Sequence, residues 1–234
     1  MTGARAVVAD VASASDMERL VADTVEQFGA ISGLVLNAGI VRAGSAGELS
    51  DEDWNAMVST NLTGPFLLVR AALPHLIKAS GSIVGVASAA ALRATAGIAG
   101  YDATKAGLAM LMQSVAVDYG PLGVRANAVC PGWTRTEMAD MEMGEFAEHS
   151  GIDREEAYSL ATAFVPSRRP AASSEVADVI AWLLSDRASY VNAAMIPVDG
   201  GLIAVEPGAI AFDPRVRMGT NTAASTPTTA SHTT

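Results

Sequence analysis

The 234-residue sequence has one cysteine, Cys130, so no disulfide can form within the chain, and its place in an apolar run marks it as a small buried residue. Positive charge is scarce. Fifteen Lys and Arg stand against 25 Asp and Glu, and the net charge of -10 argues against nucleic acid or an acidic membrane surface as a partner. The N-terminus, MTGARAVVAD, has no apolar stretch of signal-peptide length, and no run approaches about eighteen uninterrupted apolar residues. These absences predict a soluble, cytoplasmic protein. Histidines are few, no Gly-x-Ser-x-Gly is present and neither His75 nor His149 has a claim as a base, so a serine hydrolase is not expected. Gly-x-Gly does not occur anywhere in the chain.

Half of the residues are hydrophobic, enough for one sizeable core. Short apolar runs at residues 6–9, 34–36, 82–86, 124–129 and 195–198 alternate with longer segments of helical period, the pattern of an α/β fold with a doubly wound parallel sheet. Each run is too apolar for a strand with one wet face, so all five read as central strands. Met17, Leu20, Val21, Val25 and Phe28 recur at helical steps over 16–28, with Gly29 as a stop. Ser50 and Asp53 form a capping box that opens a helix running to Ile77, bent near Gly64-Pro65. Further helices are expected over 102–119 and 174–184. Residues 137–169, rich in Met and acidic groups, read as a helical insertion in the position of a substrate lid within a single domain spanning 1–212. The Thr/Ala/Ser-rich segment 213–234 has too little apolar surface to offset its ordering entropy and is expected to be disordered.

The chemistry-bearing residues form a spaced set. Tyr101 and Lys105 lie four apart at a helix start, on one face, where the ammonium can stabilise a phenolate whose ordinary pKa near ~10 makes it a poor base. Ser88 ends a predicted strand thirteen residues before Tyr101, and ligands bind at the carboxyl ends of parallel strands. Asn61 lies in the bent helix, and Asn37-Ala38-Gly39 closes the strand at 34–36.

In order and spacing these motifs resemble the classical short-chain dehydrogenase/reductase family, over about residues 4–202. The resemblance assigns a catalytic tetrad to Asn61, Ser88, Tyr101 and Lys105. Cofactor contacts fall on Asp10 and Val11 (adenine), Asn37, Ala38 and Gly39, Tyr101 and Lys105, and Pro131, Gly132, Thr134 and Thr136 (nicotinamide carboxamide). It implies hydride transfer between NAD or NADP and a small alcohol or ketone, with no metal. Tyr101 would be the acid/base, Lys105 would lower its pKa and hold the ribose, Ser88 would bond the substrate oxygen, and Asn61 would anchor a water in a proton relay. A homo-oligomer, a tetramer by resemblance, is expected, with Ala71, Ala72, Leu108, Leu111 and Met112 as its apolar helix surface.

The family's opening strand, Gly-rich loop and helix have no counterpart, so the chain is expected to be a Rossmann-like fold lacking its first two β-α units. An incomplete fragment that binds dinucleotide poorly, or a non-catalytic partner-dependent subunit, is the competing expectation. Preference between NAD and NADP is not decidable from these residues. Asn192-Ala193 replaces the usual Thr-Gly, which puts the backbone of that turn in question. Ala90, Ala91, Leu92, Ala94, Ile98, Met138, Met141 and Met143 are expected to form an apolar substrate wall.

Overall fold

The computed structural model describes residues 3–213; the tail expected to be disordered lies, beyond Asp213, outside the described residues. Helix α1 (Ala14–Phe28) is opened by Ser13, whose hydroxyl accepts from the Asp16 amide, and closed by Gly29 at φ 81°. Strand β1 (Gly33–Leu36) follows, then α2 (Asp51–Val58), where the Ser50 hydroxyl accepts from the Asp53 amide at 3.0 Å and donates to the Asp53 carboxylate at 2.8 Å. The expected bend is a π turn at Ser59–Thr63, one turn ahead of Gly64-Pro65. Its cause is chemical: Pro65 has no N–H for the carbonyl four residues back, that of Asn61. Helix α3 (Gly64–Ala79) then leads to β2 (Ser82–Val86), α4 (Ala99–Tyr119) and β3 (Arg125–Pro131). Two helices, α5 (Glu137–Ser150) and α6 (Arg154–Ala161), fill the predicted insertion, and a two-residue pair, β4 (Thr134–Arg135) with β5 (Ala171–Ala172), closes its base. Helix α7 (Ser173–Leu184) and strand β6 (Met195–Val198) complete the chain's regular elements among the described residues.

The main sheet is parallel in the order β1-β2-β3-β6, with Gly33 opposite Ser82, Ser82 opposite Arg125, and Ala128 opposite Met195. Alternation along β2 and β3 divides two layers. Ile83, Ala126 and Ala128 pack with Val69, Leu76, Leu108 and Met112 of α3 and α4, while Val84 and Val129 pack with Val176 and Leu183 of α7. The sheet is therefore covered on both faces, and the α/β expectation holds.

Three expectations are corrected. Residues 6–9 form no strand, and Val8 is 93% exposed; a strand needs a neighbour to bond, and this segment instead runs beside α1, where Arg19 donates to the Val8 carbonyl at 3.0 Å. Strands β1 and β6 are edges, not central strands, because strand order depends on pairings distant in sequence that local composition does not encode. On the helices, Ala72, Leu108 and Met112 face the sheet with 0%, 1% and 0% exposure, so they are core rather than an outward surface. The apolar side chains that do reach solvent there are Phe66, Met110 and Val117.

Candidate active site

Parallel strands present their carboxyl ends on one rim, and the motif residues gather there. Asn37-Ala38-Gly39 leaves β1, Ser88 lies two residues beyond β2, and Pro131-Gly132 leaves β3. Helix α4 brings Tyr101 and Lys105 to the same rim. The Lys105 ammonium, only 4% exposed, donates to the carbonyl of Val86 at 2.8 Å and stands 5.5 Å from the centre of the Tyr101 ring. A Cβ placed on Gly39 would come within 3.2 Å of that nitrogen and 3.5 Å of the Asn61 amide oxygen, so glycine is what lets the β1 loop close on Lys105.

Asn61 is fully buried and its side chain staples the site. Its oxygen accepts from the Ile40 amide at 2.8 Å, and its two N–H bonds go to the Ile40 carbonyl at 2.8 Å and the Thr104 hydroxyl at 3.1 Å. Thr104 in turn donates to the Tyr101 carbonyl at 3.0 Å. The side chain thus has no N–H left for a water, and its geometry ties the β1 loop to the first turn of α4. Thr104 is a participant that sequence spacing did not identify, since its partner lies 43 residues away.

Burial pushes the Tyr101 phenol above its ordinary pKa; a hydrogen bond with Ser88 opposes this, and the charges of Glu142 and Asp102 add to it. Burial brings Lys105 down to about 8. Burial thus keeps Tyr101 protonated at neutral pH. The Ser88 hydroxyl also accepts from the Ala90 amide at 3.1 Å, which orients it at the mouth of the rim. Cys130 is fully buried and its thiol is pushed up to about 11 by that burial, leaving it inert.

Other expected contacts are placed less directly. Asp10 accepts from the Ala12 amide at 2.9 Å in a local turn, and the Val11 carbonyl rests where a Cβ on Gly64 would lie 2.8 Å away, so this segment packs on the start of α3. The Thr134 hydroxyl donates to the Gly132 carbonyl at 3.1 Å, and the Thr136 hydroxyl caps α5 by accepting from the Ala139 amide at 3.2 Å. Among the described residues no Gly-rich turn or basic cluster faces a pyrophosphate; the N-terminus of α1 is already capped by Ser13 and carries Asp16 in its first turn. Of the groups a dinucleotide needs, the rim offers a buried ammonium at Lys105 and the hydroxyls of Ser88 and Tyr101, the kind of donors that suit a ribose and a nicotinamide rather than a pyrophosphate.

Helices α5 and α6 have their own small core of Ala139, Met143, Ala147, Ala157 and Tyr158. The Tyr158 hydroxyl donates to Asp140 at 2.8 Å, and the Arg135 guanidinium lies 4.3 Å over the Tyr158 ring while bonding both oxygens of Glu155. The expected apolar wall is corrected here. Met143 is buried between α5 and α6, Met141 is 62% exposed, and only Met138 of the three is half-buried on the adjoining face. Ala94 is exposed, while Ala90, Ala91, Leu92 and Ile98 are half-buried. A cavity of about 620 Å³ at the opposite, amino ends of the strands is lined by none of the residues assigned to catalysis or cofactor contact. No group of His, Cys, Asp and Glu able to hold a metal occurs among the described residues.

Residues 1–203 match the family profile described as enoyl-(acyl carrier protein) reductase. The chain is 45% identical over 152 residues to "Protein MoaE" of Klebsiella aerogenes, a match spanning 65% of this chain and 59% of that protein. It is 38% identical over 203 residues to 2-(R)-hydroxypropyl-CoM dehydrogenase of Xanthobacter autotrophicus, spanning 85% of this chain and 78% of that one. Among solved structures, levodione reductase superposes with a TM-score of 0.81 at 35% identity, over 86% of this chain and 77% of the other.

Proposed function

The chain belongs to the short-chain dehydrogenase/reductase family, and from that premise we propose that Ser88, Tyr101 and Lys105 carry out hydride transfer between a nicotinamide dinucleotide and a small alcohol or ketone. The observation that carries the reading is the meeting of a buried ammonium, a buried phenol and an oriented hydroxyl at the rim of β2. NAD or NADP, when bound, supplies or accepts the hydride.

Each protein group has a defined task in this scheme. In reduction the Tyr101 phenol, held protonated by burial, delivers its proton to the carbonyl oxygen as negative charge develops there. The Ser88 hydroxyl, already within bonding reach of the phenol, stabilises the same oxygen. Lys105 holds ribose hydroxyls from its seat on the Val86 carbonyl and favours the phenolate once the proton has left. Asn61 acts as a positioning residue through Ile40 and Thr104. Its backbone carbonyl, deprived of an α-helical donor by Pro65, is the acceptor available to a relay water. Asn37, Ala38, Gly132, Thr134 and Thr136 line the nicotinamide end, and Asp10 and Val11 the adenine side. The hairpin of α5 and α6, the insertion 137–169 in the domain 1–212, acts as the lid over the rim.

No helix among the described residues is long and apolar enough to cross a membrane. A cytoplasmic homo-oligomer, a tetramer by family resemblance, completes the proposal, with Phe66, Met110 and Val117 as the outward apolar side chains.

The test is a panel of small ketones with NADH and NADPH, alongside Tyr101→Phe. Turnover by the wild type is expected, with a loss of about two to four orders of magnitude in kcat for the variant and unchanged nicotinamide affinity. Hydride transfer from neither cofactor, or a variant that keeps most of its activity, overturns the reading.

A further inference from the structure

The chain between Ser88 and Tyr101 joins the two hydroxyl groups that meet at the rim, so its shape bears on how they face each other. It begins as a single helical turn at Ala89–Ala91, where the Ser88 hydroxyl accepts from the Ala90 amide. Residues Arg93 to Gly97 follow, five consecutive exposed residues outside any helix or strand. Ala91, Leu92 and Ile98 flank this loop and are half-buried. An exposed loop of this kind is ordinarily among the least stable parts of a fold, so what holds it decides its position.

Two tethers hold it. The Gly44 amide donates to the Gly97 carbonyl at 2.6 Å and the Ala99 amide to the Gly44 carbonyl at 3.2 Å, which ties the end of the loop to the segment after β1. The middle is held by Asp102, whose Oδ2 accepts from the Thr95 amide at 2.8 Å. Asp102 lies in the first turn of α4, directly after Tyr101, and its own amide donates to the Ile98 carbonyl at 3.0 Å. Loop and phenol therefore share one anchor. The second oxygen of that anchor is unusual: Oδ1 is the one buried side-chain nitrogen or oxygen without a hydrogen bond among the described residues. A carboxylate oxygen kept from water without a donor is costly, and the positive end of the α4 dipole offsets only part of this. Lifting Thr95 away would open the carboxylate to water, so the cost falls on the closed loop. The closed loop is a latched state, strong enough to hold and weak enough to release.

We propose that Asp102 is a positioning residue of this site: through the Thr95 amide its carboxylate latches the loop of residues 93–97, so that Ala91, Leu92 and Ile98 close on a substrate beside Ser88 and Tyr101. This rests on the hydride-transfer reading of the rim. Asp102 touches neither substrate nor cofactor in this scheme. It acts by fixing the wall against which the reacting carbon is placed, and release of Thr95 lets the wall swing aside for entry and exit.

Two variants test the latch, since Asp102→Ala removes the acceptor and Asp102→Asn keeps one for Thr95. With a ketone that the wild type reduces, Asp102→Ala is expected to lose about 10- to 100-fold in kcat/KM, most of it as a higher KM for the ketone, with nicotinamide affinity unchanged. Asp102→Asn should bring KM most of the way back. A residue that only supported the fold would instead lower the fraction of active enzyme, and so kcat at constant KM. A second readout does not need turnover: amide exchange followed by mass spectrometry should be faster over residues 93–97 in Asp102→Ala than in the wild type or Asp102→Asn, with β2 and β3 equally protected in all three. An unmoved KM in Asp102→Ala, no recovery in Asp102→Asn, or a loop that exchanges alike in all three overturns the proposal. If the wild type reduces no ketone, the hydride-transfer reading fails and loop exchange decides the latch alone: protection lost only in Asp102→Ala supports it, and equal protection overturns it.

Discussion

The Lys105 ammonium is anchored to the carbonyl of Val86, the last residue of β2, across 2.8 Å. That bond holds a charge in a site 4% exposed, and burial lowers its pKa from 10.5 to about 8. The drop corresponds to roughly 3 kcal/mol of unfavourable burial while the amine is charged. Because the folded pKa lies below the unfolded one, the unfolded chain binds more protons between about pH 8 and 10.5. Stability from this group therefore rises with pH through that window. Urea unfolding of the wild type and Lys105→Met across pH 7.5 to 10.5 is expected to show the wild type gaining up to about 3 kcal/mol relative to the variant. A pH-independent difference would mean the amine is not buried as a cation.

Asn61 makes its case by what it leaves behind. Replacing it with alanine strips partners from the Ile40 amide and carbonyl together and from Thr104, all at a fully buried position. Each unsatisfied buried group costs about 1–3 kcal/mol, so a loss of roughly 3 kcal/mol is expected, read as a shift in the urea midpoint. The β1 loop should loosen as well, seen as faster amide exchange at Ile40. A neutral substitution would remove the stapling role assigned to this side chain.

Much of the framework is legible locally because its signals are local. Helical period, the Ser50 and Gly29 caps, and the apolar run of β2 lie within single segments, and their bounds agree with the structure to within a few residues. The motif spacing likewise brings Ser88, Tyr101 and Lys105 to one rim. What stayed hidden depends on pairings across the chain. Residues 6–9 have strand composition but no strand beside them, and β1 and β6 become edges only once the order of the sheet is known.

The turn at Asn192-Ala193 keeps a left-handed backbone despite lacking glycine: Ala193 has φ 58°. It is held there by its amide bonding Ala126 at 3.0 Å and its carbonyl accepting from Gln113 at 3.1 Å. A Cβ in this region costs about 1–2 kcal/mol, part of which the greater freedom of glycine in the unfolded chain cancels. Ala193→Gly is therefore expected to raise stability by about 1 kcal/mol, a melting temperature higher by several degrees. A lower melting temperature would show that the surrounding bonds relieve the strain.

The outer side of β1 is a test of how the sheet behaves in solution. Gly33–Leu36 bonds β2 on one side, and among the described residues no strand bonds the other. Val35 on this strand is 38% exposed, and β1 carries no charged residue. Unpaired backbone groups beside apolar side chains form a template for another strand, and natural edges are commonly guarded by lysine. The chain as it stands is expected to associate through this edge at rising concentration. Val35→Lys places a charge on the exposed edge strand without disturbing Leu36, which is 4% exposed and in the core. Light scattering of the two proteins over the same concentration series should show slower growth of large species for the variant, with the circular dichroism of the fold unchanged. Equal growth for both would move the sticky surface away from β1, to the outward Phe66, Met110 and Val117 of the long helices, where Met110→Lys becomes the informative change.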